Sequence, residues 1–177
     1  MKKLIALTLS ISTFSSFAFG PLPSPVCHKI TVNEVKNKIK ELGVKGYIDY
    51  SQPEAQYGEW ECVMDNITNG LPEWLDLVPT LAPFTDAGTA EDLGLVLSVA
   101  LQTNPTRVLD LIDNRSQVLN EREICSLPFY GGTREERNQY VVNIIEALYK
   151  VTNGKYCLSH IVSVIGQSTA EDFYKVN

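Results

Sequence analysis

Two histidines, four cysteines and several paired carboxylates are the side chains of this 177-residue chain that could do chemistry. The histidines are isolated: His28 adjoins Cys27, and His160 sits between the apolar neighbours Leu158 and Ile161. Neither belongs to a His-x-x-x-His or Glu-x-x-His pair, which would set two ligands on one helix face, so no metal is expected. No Gly-x-Ser-x-Gly turn presents a serine nucleophile. A dispersed Ser-His-Asp triad has no support from any neighbouring pattern. Gly131-Gly132 is the only double glycine and no Gly-Lys-Ser/Thr follows it, so phosphate-loop chemistry is not expected and no cofactor is implied.

The carboxylates come in pairs: Glu59 with Glu61, Glu91 with Asp92, Glu121 with Glu123, Glu135 with Glu136. A glycosidase needs two carboxyls across a cleft, one with a raised pKa. Most of these pairs fall near helix starts, where the macrodipole and capping account for them. Glu59 and Glu61 flank Trp60, and acids beside an aromatic suit a sugar. A glycan- or peptidoglycan-acting enzyme using Glu59, Glu61 or Asp86 is therefore the rival to a non-enzymatic role, as is an envelope assembly factor. Trp60 and Trp74 are expected as core anchors.

The cysteines, Cys27, Cys62, Cys125 and Cys157, lie about 35, 63 and 32 residues apart. That spacing lacks the close pairs of a zinc site or a Cys-x-x-Cys redox motif. An even set in an oxidising compartment reads as two disulfides with three connectivities. Sequential pairing, Cys27 with Cys62 and Cys125 with Cys157, is favoured.

The compartment follows from the start of the chain. Met1-Lys2-Lys3 is basic, the stretch from Leu4 to Ile11 is apolar, and Ser15-Ser16-Phe17-Ala18-Phe19-Gly20 supplies small residues for a signal peptidase. Residues 1–18 read as a signal peptide, with cleavage after Ala18 preferred over Gly20 because the latter leaves Pro21 at the new terminus. An exported protein is expected, periplasmic rather than extracellular. Residues 19–30 form a proline-rich leader, and 31–177 a single α-helical domain. Without Lys2 and Lys3, the mature chain carries 13 basic against 21 acidic residues, a net charge of −8. This argues against nucleic acid and anionic lipid and toward a basic partner. No second apolar stretch could span a bilayer, so no membrane insertion is expected.

The positioning elements read as helices throughout. Thr31-Val32-Asn33-Glu34 is a capping box, followed by Val32, Val35, Ile39 and Leu42 at helical spacing. Gly43 is expected to end that helix, with 44–50 a loop or short extended piece. Helical hairpins then recur at intervals of about 40 residues. The first has Trp60, Val63, Met64 and Ile67 on one face over 53–69, with Gly70 as its stop and Pro72 opening a short partner. The second opens at Thr89 with Leu93, Val96, Leu97, Ala100 and Leu101 as its stripe, and turns at Asn104-Pro105. The third begins at the Thr133-Arg134-Glu135-Glu136 box, runs through Tyr140, Val141, Ile144, Ile145 and Leu148, and breaks at Gly154 before a last apolar helix. The expected class is all-α: stacked hairpins, as a HEAT-like array or an irregular helical bundle, with two disulfides.

Two loops carry aromatics beside proline and glycine and away from any helical stripe. Residues 81–88 contain Phe84, Thr85 and Asp86; residues 127–132 contain Phe129, Tyr130, Gly131 and Gly132. An aromatic on a short, stiff loop makes contacts at low entropic cost. These residues are the candidate partner-binding loops. The expected function is an inhibitor or immunity-type protein, one that blocks a basic exported toxin or cell-wall enzyme by inserting a loop.

Overall fold

The structure, a computed structural model, describes residue 27 and residues 30–52, 58–128 and 133–167, and those residues are helical with no strand. The signal segment 1–18, most of the leader, His28, and the loop residues Phe129, Tyr130, Gly131 and Gly132 lie outside the described residues.

Helix α1 spans Val32–Ser51 behind the expected box: Glu34 N–H donates to Thr31 Oγ1, and Thr31 N–H donates to Glu34 Oε2. Gly43 does not end the helix. It takes φ 72° and ψ 164°, a conformation open essentially only to glycine, and the helix resumes beyond it. Residues 44–50 are thus helical rather than loop or extended. Val44, Tyr47, Ile48 and Ser51 fall at helical spacing and bury one face, which outweighs the break at Gly43. Helix α2 (Glu59–Thr68) carries Trp60, Val63, Met64 and Ile67 inward, and α3 (Pro72–Leu75) and α4 (Val78–Leu81) follow as single turns. Between α2 and α3, Gly70 sits at φ 69°, and a Cβ there would run into Thr103.

A 3-10 turn, Ala82–Phe84, leads into α5 (Ala87–Ala100). This helix starts earlier than Thr89 because Asp86 is its cap: Asp86 Oδ1 accepts from Thr89 N–H at 3.1 Å, and Thr89 Oγ1 accepts from Asp86 N–H at 2.9 Å. Threonine in the position usually held by Glu or Gln hides this box from a sequence search. Asn104 caps α6 (Pro105–Leu109), a one-turn helix α7 spans Glu121–Ile124, α8 spans Arg134–Tyr149 behind the Thr133–Glu136 box, and α9 spans Gly154–Gln167.

Helix α5 lies against α2, α6 and α7, while α8 lies on α9 and α6 reaches both α3 and α9. One core runs through them, with Ile48, Ile67, Leu75, Leu81, Leu93, Leu97, Leu101, Ile124, Ile144, Leu148 and Ile161 fully buried. Both disulfides have the favoured pairing, Cys27–Cys62 and Cys125–Cys157, with Cα–Cα distances of 4.8 and 5.1 Å. The first ties the leader to α2 and the second ties the end of α7 to α9. Among the described residues, no helix is long and apolar enough to cross a membrane.

Candidate functional site

Along one side of α5 runs a groove made of two adjoining cavities. The first, about 710 Å³, lies between the 3-10 turn with the start of α5 and the loop 113–118. The second, about 400 Å³, lies between Glu91, Asp92, Gly94 and Leu95 of α5 and the segment from Glu123 to Pro128. Ala90, Gln117 and Val118 line both, so the two are continuous. Each is within the size range of ordinary ligand pockets, about 300–1,000 Å³.

Local hydrogen bonds make the outer wall stiff. Ser116 Oγ accepts from the N–H groups of Val118 and Leu119 at 3.2 and 3.1 Å, Asp113 N–H donates to Leu119 O at 2.9 Å, and Asn114 Oδ1 accepts from Glu121 N–H at 3.0 Å. Asn120 then caps α7, accepting from Glu123 N–H at 3.0 Å. Val118 and Leu119 point into the core and anchor the loop. Beneath the second cavity, the fully buried Ser98 of α5 donates to Gly94 O at 3.0 Å and lies 3.2 Å from Glu123 O. Tyr140 of α8 reaches the same spot, its Oη within 3.1 Å of Ser98 O and 3.2 Å of Ser126 O. Burial pushes the Tyr140 phenol well above its usual range, which keeps it a donor. Three elements are thus fastened at the groove floor.

The lining is acidic: Asp86, Glu91, Asp92, Asp113 and Glu123 against Arg115. Hydrogen bonds from Thr89 hold Asp86 below the usual carboxylate range, with Lys45 a lesser contributor. The Arg115 guanidinium does the same for Asp113, pairing with it at 2.9 Å. Asp92 accepts from Trp60 Nε1 at 3.1 Å. Glu91 and Glu123 are exposed and make no ion pair among the described residues.

The described parts of the loops singled out from sequence border this groove. Phe84 is 46% exposed beside its mouth. Thr85 closes the turn by donating to Ala82 O at 2.9 Å, and Asp86 is committed to its cap. At the other end Leu127 and Pro128 line the second cavity; Phe129, Tyr130, Gly131 and Gly132, which continue that loop, lie outside the described residues. No local pattern in the sequence marks the loop 113–118 as a wall, because the residues it faces lie on α5.

Of the acids suited to a glycan site, Asp86 lines the groove while Glu59 and Glu61, on α2, do not. Trp60 is 2% exposed and lies in the core, as expected, so its face is closed to a sugar. Glu59 pairs with Lys38, whose ammonium stands 5.0 Å over the Tyr50 ring. His160 is half-buried in α9. Among the described residues no group of three or more His, Cys, Asp or Glu side chains could hold a metal ion. Scans against known protein families, curated proteins and solved structures find no match to this chain.

Proposed function

We propose that this chain is an exported, disulfide-stapled protein-binding module of the inhibitor or immunity type. It blocks a basic exported toxin or cell-wall enzyme, with Phe84 as the inserted anchor. The observation that carries this is a stiff, acidic groove that starts beside the exposed Phe84 and is lined further along by Leu127 and Pro128. A rigid rim with an exposed aromatic loses little entropy on docking, and an acidic face steers a basic partner and rejects acidic ones. Export and the periplasm are supported by the basic-apolar-small start of the chain and by the two disulfides, which persist in oxidising compartments.

The test is partner capture. The protein, carrying a C-terminal tag, is crosslinked in intact cells and its companions identified. One basic exported protein in one-to-one ratio is the expected result. A complex that survives replacement of Phe84, Phe129 and Tyr130 by alanine would sink loop insertion.

A further inference from the structure

We propose that the first half of α1, residues 32–42, is a hinged arm. It turns at Gly43, is latched to α2 by the Cys27–Cys62 bridge and strapped there by Lys38, and opens while residues 44–51 stay in the core.

Burial divides the helix. In the first half Val35 is buried, whereas in the second half Tyr47, Ile48 and Ser51 are. A helix is held chiefly by the face it buries, so the two halves are held unequally. They are also mechanically separate. Gly43 leaves the helical torsions with φ 72° and ψ 164°, it is exposed, and an added Cβ there would meet nothing within 4 Å. A glycine with free space around it absorbs a change of torsion at little cost, as a hinge must.

Two fixings hold the arm, and both go to α2. Just ahead of the Thr31 cap, Cys27 is bonded to Cys62; further along, Lys38 pairs with Glu59. Lys38 also reaches across the hinge, its ammonium 5.0 Å over the ring of Tyr50 in the second half. One side chain thus ties together the arm, the far side of the hinge and α2. The strap is a weak one, because the Lys38 side chain keeps 34% of its surface exposed and a partly exposed ion pair is screened by water. The closed joint is also incompletely satisfied. Among the described residues, Glu59 Oε1 and Tyr47 Oη are buried without a hydrogen-bond partner. When Lys38 leaves, water reaches Glu59 and supplies the bonds that the closed form withholds. The bridge limits this opening: the arm bows away from α2 with the bridge intact and is free without it.

Hydrogen–deuterium exchange of the full oxidised chain, corrected for intrinsic rates and read by mass spectrometry, tests this. Residues 36–42 are compared with 47–51, which leaves out the amides unbonded at a helix start. A helix as short as the arm has little stability of its own, so its release shows at all of these amides. Exchange about tenfold faster in 36–42 than in 47–51 is expected. Lys38→Met keeps the apolar stem and removes the strap; it should speed 36–42 by about a further fivefold and leave 47–51 unchanged. Paired Cys27→Ser and Cys62→Ser change should bring 36–42 close to free-peptide rates with 47–51 still protected. Equal exchange of the two halves in the unaltered chain overturns the hinge, since α1 then opens as one unit. A Lys38→Met chain in which both halves speed up alike, or neither does, overturns the strap. A double-serine chain that also loses protection in α5 and α8 overturns the latch, and the Lys38→Met comparison still decides the hinge.

Discussion

Tyr140 shows what one hydroxyl does in this protein. It is 2% exposed, and its Oη lies between the carbonyls of Ser98 and Ser126, holding α8 against the groove floor. Tyr140→Phe keeps the ring and strands two carbonyls, so a loss of about 1–2 kcal/mol in urea unfolding is expected. Gly43 acts through the backbone instead. Its φ of 72° lets α1 bend without ending, and no neighbour stands within 4 Å of an added Cβ. Gly43→Ala therefore isolates the conformational cost, expected at about 1–3 kcal/mol by thermal melting. Neither effect is legible from sequence. Tyr140 reads there as one member of an apolar stripe, because its acceptors are backbone atoms 42 and 14 residues away. Gly43 reads as a stop, because the buried face of Tyr47 and Ile48 that restarts the helix becomes decisive only once the core has formed.

Helix α2 carries its own pH dependence. Asp65 is partly buried and lies one turn after Glu61, and both burial and that like charge raise its pKa. Because the folded value stands above the unfolded one, the ionised carboxylate opposes folding. The penalty is absent below the unfolded pKa, where both states are protonated, and is complete once pH has risen through the folded pKa. Asp65→Asn should stabilise the protein at about pH 7 and give no gain at about pH 3, as measured by paired urea titrations. The helix caps have the opposite sign. Hydrogen bonds from Thr31 hold Glu34 low, so its contribution is present at neutral pH and lost as pH falls through the folded value. These caps are the part of the fold that sequence shows best, since a box involves residues three apart and needs no tertiary knowledge. The groove is the opposite case. Its walls come from α5 and from residues roughly 25–30 positions later, joined by side chain-to-backbone bonds that leave no local pattern.

Across the whole molecule the two disulfides set how the chain is held. They close segments with sequence separations of 35 and 32 residues, each worth about 3–4 kcal/mol in the chain-entropy account. Replacing Cys125 and Cys157 together by serine should cost about that much and lower the melting temperature, with the helical far-UV signal retained at low temperature. The pairing was within reach of sequence because the cysteines fall in two couples with similar spacing. The bundle around α5 was not, since hairpin periodicity says which helices exist and not which of them touch. The bridges also decide what a protease can do. A cut between Cys27 and Cys62, or between Cys125 and Cys157, leaves the pieces covalently joined and running as one band on a non-reducing gel. The stretch between the two bridges, from Cys62 to Cys125, lacks such a safeguard, and it contains Phe84 and the acidic rim. Severing that stretch splits the protein into two pieces that no disulfide connects, so the Phe84 loop is a place where one nick is final.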